Sequence, residues 1–227
     1  MTYTKQTLQQ DLAAMGLTGT ETILIHSSMK SIGAVEGGAD TVLDALMEFF
    51  AEGLLLLPTH TWQSIDQDHP VFDVRRSPCC VGILPELFRQ RPGVVRSLHP
   101  THSIAACGRG AAEYLAGELE NNTPCTPGGC YDRLRAVGGK ILLLGVSHAR
   151  NTFLHSVEEV LSQAGYADVA KAYILYRKQR EKLRNMKSTI LDYKEIVDSY
   201  VKGADWRVKE NSTVTYSVGG LIRSNSV

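Results

Sequence analysis

The chain has 227 residues, 43% of them hydrophobic, and a formal net charge of zero at pH 7. This length and composition allow a sizeable buried core and one or two domains. No run of about 18 apolar residues occurs, so we expect no membrane span. The first residues, MTYTKQTLQQDLAAMG, lack an apolar leader region, so we expect no signal peptide. We expect neither a membrane nor a nucleic acid as partner.

Strands and helices alternate along the first two thirds of the chain. The predicted elements, in chain order, are a helix over 4–15, a strand over 22–26, a helix over 39–50, a strand over 54–57, a helix over about 82–91, and strands over 103–107 and 140–145. The runs at 54–57 and 140–145 are continuously apolar, which is typical of strands buried on both faces. The alternation predicts an α/β fold with a mostly parallel central sheet.

The charge balance changes sign near residue 164. Residues 1–163 contain 12 Lys and Arg against 17 Asp and Glu, whereas residues 164–227 contain 12 against 7. Opposite charge blocks suggest two segments with different roles. The second segment predicts a basic helix over about 168–201, followed by a polar, β-prone end, so we divide the chain into a domain over 1–163 and a helical tail over 164–227.

The cysteines indicate a reducing compartment. Their number is odd and none has CxxC spacing; they are Cys79, Cys80, Cys107, Cys125 and Cys130. This pattern favours free thiols in the cytoplasm over a disulfide framework or a zinc site.

A glycine-rich loop joins the first strand to the helix at 39–50. Its residues Ser27, Ser28 and Lys30 offer two hydroxyls and a mobile positive charge, and a strand–loop–helix unit presents backbone N–H groups to an anion. The loop matches neither nucleotide-binding glycine fingerprint, and the alternative is a tight turn that merely needs glycine.

Two further polar loops are candidates for ligand binding. The stretch RSLHPTHS over 96–103 is dense in hydrogen-bond donors; its His99 and His102 lack further metal ligands at suitable spacing, so we expect no metal site. The loop after the strand at 54–57 carries Asp66, Asp68 and Asp73, which suit a cationic substrate or are simply solvated.

The stretch NTFLHSVEE over 151–159 places a histidine beside two carboxylates. On a helix, His155, Glu158 and Glu159 lie near one another. Such an arrangement orients an imidazole and makes it more basic, although an ordinary surface helix gives the same pattern.

Together these stretches resemble the aminoglycoside 3-N-acetyltransferase family over about residues 5–163. The residues that carry the resemblance are HSSMKSIGAVEGGADTVLDAL, LLLPTHTW, FDVRRSPCCVGILPELFRQRPGVVRSLHPTHSIAACG, PCTPGGCYDRL and GGKILLLGVSHARNTFLHSVEE. The resemblance implies an α/β sandwich and acetyl transfer from acetyl-coenzyme A to the 3-amino group of a 2-deoxystreptamine aminoglycoside, which causes antibiotic resistance. It leaves open a coenzyme A-binding remnant without catalysis, or an N-acetyltransferase acting on another amine.

The resemblance also implies roles for individual residues. In the family's Thr-x-x-His-x-x-Glu stretch the histidine is the general base; here that is His155, with Glu158 or Glu159 orienting its ring. The residues that match the coenzyme A loops are Ser27, Ser28, Lys30, Val35, Gly37, Ser97 and Ser103. A backbone N–H of the Ser27 loop is the expected oxyanion donor.

The chain departs from the family in two loop stretches and in its C-terminal portion. Two stretches, 79–82 and 124–131, carry cysteine and proline replacements that could reshape the loops around the antibiotic. The C-terminal portion resembles instead a piece of anaerobic (class III) ribonucleotide reductase over about 166–222, through YADVAKAYILYRKQREKL and DWRVKENSTVTYSVGGL. The chain therefore looks chimeric and C-terminally truncated. The sequence leaves the oligomeric state open.

Overall fold

The computed structural model describes residues 2–66, 68–121, 123–156 and 159, and three later strands. Its α-helices are α1 (Lys5–Ala14), α2 (Met29–Ile32), α3 (Gly38–Phe49), α4 (Ile83–Phe88), α5 (Ala111–Leu115) and α6 (Cys130–Ala136). Short 3-10 helices occupy Glu118–Glu120 and His148–Arg150. Residues 153–156 begin a further helical stretch.

One sheet contains all the described strands. They are β1 (Thr22–Ser27), β2 (Leu54–Pro58), β3 (Val95–Arg96), β4 (Ile104–Gly108), β5 (Lys140–Leu144), β6 (Thr189–Leu191), β7 (Val214–Ser217) and β8 (Leu221–Ile222). Their spatial order is β3-β4-β2-β1-β5-β6-β7-β8. The central strands β2, β1 and β5 are parallel, as predicted, whereas the strands on either side pair antiparallel.

Buried apolar clusters cover both faces of the sheet, because the central residues of β1, β2 and β5 are apolar. On one face α1, α3 and α4 pack against Ile23, Ile25 and Leu55. On the other face α5 and α6 pack with Leu24 and Leu56. These helix–sheet–helix layers confirm the predicted α/β sandwich.

The predicted helical tail lies largely outside the described residues. Within the predicted helix over 168–201, however, Thr189–Leu191 is a strand, so the helix prediction is wrong there. This strand pairs antiparallel with β5, joining Leu191 to Ile141 and Ile190 to Leu142. A β-branched pair followed by leucine suits the open edge of β5 better than a helix. The sheet therefore continues past the proposed boundary at residue 163, and that boundary remains a prediction.

Candidate functional site

A cavity of about 650 Å³ lies over the carboxyl ends of the three parallel strands. Residues from several separate segments line it: Ile25, His26, Ser27, Ser28, Met29, Lys30, Ser31, Pro58, Trp62, Gln63, Cys80, Val81, Gly82, Ile83, Leu84, Pro85, Gly145, Val146, Ser147, Arg150 and Thr152. This is the edge of an open α/β sheet at which ligands collect.

The charged groups of this lining are basic. Lys30 and Arg150 are both exposed, and among the described lining residues there is neither Asp nor Glu. A concave surface with this sign of charge favours an anionic ligand.

The loop after β1 reaches the cavity because it folds into the short helix α2. The Ser28 N–H donates to Leu144 O of β5 at 3.0 Å, and the Ser31 hydroxyl donates to Ser28 Oγ at 3.1 Å. Gly145 permits this close approach, since its φ is 72° and a Cβ there would lie 2.8 Å from the Cβ of Ser31. The structure thus brings Ser27, Ser28 and Lys30 to the cavity, and their binding of coenzyme A remains a prediction.

Val35 and Gly37, predicted to contact the same ligand, do not line this cavity. Val35 forms a parallel bridge with Tyr3 and packs against the core. Gly37 has a φ of 75° and immediately precedes α3. In the described structure both residues shape the entry into α3, and a contact with the ligand remains a prediction.

Ser97 and Ser103 likewise lie away from the cavity lining, buried in the β3–β4 hairpin. The Ser97 hydroxyl accepts the N–H of Ile104 at 3.0 Å. The Ser103 hydroxyl donates to Thr59 O at 2.8 Å and accepts from Arg96 Nε at 3.0 Å. Internal hydrogen bonds thus engage both hydroxyls, and contact of Ser97 and Ser103 with coenzyme A remains a prediction.

The segment after β5 carries the predicted base. Asn151 Oδ1 accepts the Phe153 N–H at 3.2 Å, and the His155 N–H donates to Thr152 O at 2.9 Å, which starts a helical turn. Thr152 lines the cavity and His155, half-buried, follows within this turn. The predicted partner Glu158 lies outside the described residues.

Glu159 holds the loop that precedes α6. Its Oε1 accepts the Cys125 N–H at 2.9 Å, and its Oε2 accepts the Thr123 hydroxyl. Both carboxylate oxygens therefore bind the loop that departs from the family pattern. An orienting role towards His155 remains a prediction.

Histidines cluster between the sheet edge and this loop. The ring centroids of His60 and His102 lie 4.6 Å apart, and those of His99 and His102 lie 5.8 Å apart. Burial, together with the charges of His99 and His155, lowers the pKa of His102 to about 4. Burial also lowers the pKa of His60, helped by the charges of His102 and His26. The described cluster is consequently neutral around His60 and His102 at pH 7.

Both ring nitrogens of His99 have hydrogen-bond partners within the protein. Its Nδ1 accepts the N–H groups of Thr101 and His102 at 3.2 and 2.9 Å, and its Nε2 faces Thr123 O at 3.1 Å. Among the described residues no group of three or more potential ligands could hold a metal ion.

The predicted substrate-binding aspartates form local turns at the surface. Asp66 accepts the N–H groups of Asp68 and His69, and Asp73 accepts those of Arg75 and Arg76. None of the three aspartates lines the cavity. Their part in binding a substrate stays a prediction.

Several lining residues were missed by the sequence reasoning. Trp62 and Ile83 are about half exposed although large and apolar (48% and 49%), and Arg150 and Cys80 also reach the cavity. For Trp62 a signal was present, since it closes the LPTHTW stretch that leaves the end of β2. The five cysteines are free, as predicted. None of the described helices is long and apolar enough to cross a membrane.

The chain is similar in sequence and in structure to known aminoglycoside acetyltransferases. The chain is 35% identical over 180 residues to aminoglycoside N(3)-acetyltransferase VII of Streptomyces paromomycinus, a match covering 71% of this chain and 62% of that enzyme. It thus spans less than two thirds of this relative's length. The structure is similar to that of AAC-IIIb in binary complex with CoASH (TM-score 0.63, 28% identity, 70% of this chain and 66% of that one). It is also similar to aminoglycoside acetyltransferase AAC(3)-Xa (TM-score 0.72, 26% identity, 91% and 94%).

The family model for aminoglycoside 3-N-acetyltransferases matches residues 24–219. This range includes the cavity and most of the segment that resembles a ribonucleotide reductase, so a chimeric origin is not shown. The extent of the match decides the family. This chain belongs to the aminoglycoside 3-N-acetyltransferases.

Proposed function

We propose that this chain transfers an acetyl group from acetyl-coenzyme A to the 3-amino group of a 2-deoxystreptamine aminoglycoside, and so confers antibiotic resistance. The observation that carries the proposal is the basic cavity over β1, β2 and β5, bordered by Thr152 of the segment that leads into His155. Coenzyme A is polyanionic, and the AAC-IIIb structure is a complex with it.

The exposed cations suit the phosphates of the cosubstrate. Lys30 lies on α2 and Arg150 on the 3-10 helix after β5, and the serines of the Ser27 loop add hydroxyls. Trp62 and Ile83 add apolar surface for the uncharged parts of the cosubstrate.

Catalysis requires a base, because an ammonium group has no lone pair with which to attack. His155 would take a proton from the ammonium, so that the neutral amine nitrogen attacks the thioester carbon. When the carbon–sulfur bond breaks, a second proton passes from the nitrogen to the departing thiolate, which leaves the amide and the free thiol of coenzyme A. Glu158 or Glu159 would orient the imidazole. A backbone N–H of the Ser27 loop would stabilise the developing oxyanion.

The cationic acceptor needs acidic partners that the described cavity lining does not supply. Asp66, Asp68 and Asp73 on the loop after β2 are the candidates. The gentamicin and sisomicin complexes of similar folds concern other chains. For this chain the acceptor therefore rests on the family.

A release assay tests the proposal. Purified chain, acetyl-coenzyme A and gentamicin- or kanamycin-type substrates should release free thiol, which a thiol reagent detects. Mass spectrometry should find a monoacetylated product, with the acetyl group at N3. No release by folded protein that still binds coenzyme A would refute the proposal.

That refuting outcome would support the second function, a coenzyme A-binding remnant, which is favoured by the chain's 62% coverage of its relative. Coenzyme A should then raise the melting temperature by mass action, and antibiotic alone should give no shift. Release with another amine but with no aminoglycoside would instead identify a different acceptor, and an acceptor panel decides this.

The free thiols and the need for acetyl-coenzyme A favour the cytoplasm. The ribonucleotide reductase-like stretch over 166–222 carries no reductase activity in our proposal, and re-sequencing the gene across residues 150–180 would detect a recombination or assembly junction.

A further inference from the structure

His26 places a polar ring at the floor of an otherwise apolar strand end. It follows Leu24 and Ile25 in β1, is 6% exposed, and belongs to the cavity lining. Its Nε2 has no hydrogen-bond partner among the described residues, and the same holds for the neighbouring Ser27 Oγ. Buried groups of this kind are rare in native proteins and call for an explanation such as a bound ligand.

The other side of the imidazole is accounted for. The side chain of Asn151 hydrogen-bonds His26, and Asn151 is itself fixed by the Phe153 N–H. The ring is therefore held by the segment that starts the helical turn containing His155. Since alternate residues of a strand face opposite sides, His26 lies on the sheet face of Leu24, where Phe153 also packs.

Electrostatics link this ring to the predicted base. The charges of His26 and His155 both lower the pKa of His60, so the three imidazoles lie near one another. A group bound at His26 would consequently lie near the residue proposed to deprotonate the acceptor.

The charge of the cavity changes from its rim to its floor. Lys30 and Arg150 are exposed cations at the rim. Burial, together with the charge of His148, lowers the pKa of His26 to about 3, so the floor is neutral at pH 7. Phosphates suit the rim, and an uncharged polar group suits the floor.

We propose that His26 is an acyl-binding residue, whose Nε2 donates a hydrogen bond to the thioester carbonyl of acetyl-coenzyme A while the phosphates lie at Lys30 and Arg150. This inference rests on the proposed function. It assigns the ring proton to Nε2 and sets the direction in which the cosubstrate enters, with the acyl end innermost. As the amine attacks, the same bond would meet the growing negative charge on the oxygen.

Two substitutions isolate the Nε2 position. His26→Gln places an amide near Nε2, whereas His26→Asn places one near Nδ1 and leaves the Nε2 position empty. We expect the Asn variant to lose about tenfold in affinity for acetyl-coenzyme A, the worth of one hydrogen bond. Its affinity for coenzyme A, which lacks the carbonyl, should change less than about twofold, and its kcat should fall by about 10²-fold. The Gln variant should retain most of the affinity for acetyl-coenzyme A and most of the kcat.

Calorimetric titration with each ligand measures the two affinities. Equal changes for acetyl-coenzyme A and coenzyme A, or an Asn variant indistinguishable from the Gln variant, would overturn the proposal. If neither variant folds, a crystal structure of the unaltered chain with a non-transferable ketone analogue of acetyl-coenzyme A decides. A carbonyl oxygen within about 3.2 Å of Nε2 supports the proposal, and a longer separation overturns it.

The design separates this inference from the proposed function. An unaltered chain that binds acetyl-coenzyme A with the His26 dependence given above but acetylates no aminoglycoside would refute the function and uphold the inference. Full acetyltransferase activity with the acyl-selective effect absent would do the reverse.

Discussion

The His60 imidazole and the Tyr131 hydroxyl meet in the core, with Nε2 and Oη 2.6 Å apart. Both side chains are buried, so each group relies on the other for hydrogen bonding. His60 follows β2 and Tyr131 lies on α6. The bond therefore ties the edge of the sheet that carries the cavity to the helix behind the loop held by Glu159.

Tyr131→Phe should lower the free energy of unfolding by about 1–3 kcal/mol, because it leaves a buried imidazole nitrogen unpaired. Urea denaturation measures this change. A double-mutant cycle with His60→Ala isolates the pair, and strictly additive effects of the two substitutions would contradict the coupling.

His155→Ala should abolish turnover by removing the proposed base, while coenzyme A affinity stays nearly unchanged because Lys30, Arg150 and the Ser27 loop are intact. The general acid–base contribution is typically 10²–10⁴-fold. Thiol release and calorimetry measure the two quantities. A variant that keeps more than about a tenth of the activity would argue against His155 as base.

Glu159→Gln should weaken the 123–126 loop rather than the chemistry, since its oxygens accept the Cys125 N–H and the Thr123 hydroxyl. We expect about 1 kcal/mol less stability and a higher KM for the aminoglycoside, with the KM for acetyl-coenzyme A unchanged. Glu113→Gln, at an exposed position on α5, is the matched control for the lost charge. A lower kcat with an altered pH profile would instead support pairing with His155.

Ser103→Ala should destabilise the fold by about 1–2 kcal/mol, because the hydroxyl serves Thr59 O and Arg96 Nε inside the hairpin. Its position outside the cavity lining predicts an unchanged affinity for coenzyme A. Thermal melting and calorimetry on one preparation test both statements. A stable variant with weakened coenzyme A binding would support Ser103 as a cofactor-binding residue.

Mild acid should destabilise the fold. Burial is the leading cause that lowers the pKa of His26 to about 3, and of His102 and His148 to about 4. Below the unfolded pKa of about 6.5 the unfolded chain binds protons that the folded chain excludes, so stability falls as pH drops from about 6.5 towards about 4. Each such histidine contributes up to about 1.4 kcal/mol per pH unit.

Urea denaturation at about pH 7.5 and about pH 5 measures this loss. The pH dependence should be smaller in His102→Gln, which removes one of the titrating rings. An identical free energy of unfolding at both pH values would show that these imidazoles remain accessible to protons in the folded protein.

The strongest local patterns predicted the fold. The helix over 39–50 and the apolar runs at 54–57 and 140–145 became α3, β2 and β5, because their burial follows from composition alone. The antiparallel flanks were not predictable in this way. Whether β2 pairs with β4 in one direction or the other depends on the path of the chain between them, which residue patterns do not encode.

The candidate site likewise contains residues that a local pattern predicted and residues that only the fold brings together. Ser27, Ser28 and Lys30 were found because they follow one strand directly. Trp62, Ile83 and Arg150 come from three distant segments, and only the folded sheet edge brings them together. The hairpin hydrogen bonds of Ser97 and Ser103 were not predictable, because a hydroxyl-rich sequence looks the same whether its hydroxyls bind a ligand or the hairpin itself.

The pairing of β1 with β5 has a consequence for how the protein reaches its native state. The register joins Ser27 to Leu144, and β2 is the other strand beside β1. Residues 28–139 separate the two paired strands. Closing so long a segment is entropically unfavourable, and such non-local contacts slow folding. During synthesis, more than half of the polypeptide must leave the ribosome before the strand that completes the cavity is available. Cosubstrate binding should therefore appear late, as a reporter of complete folding.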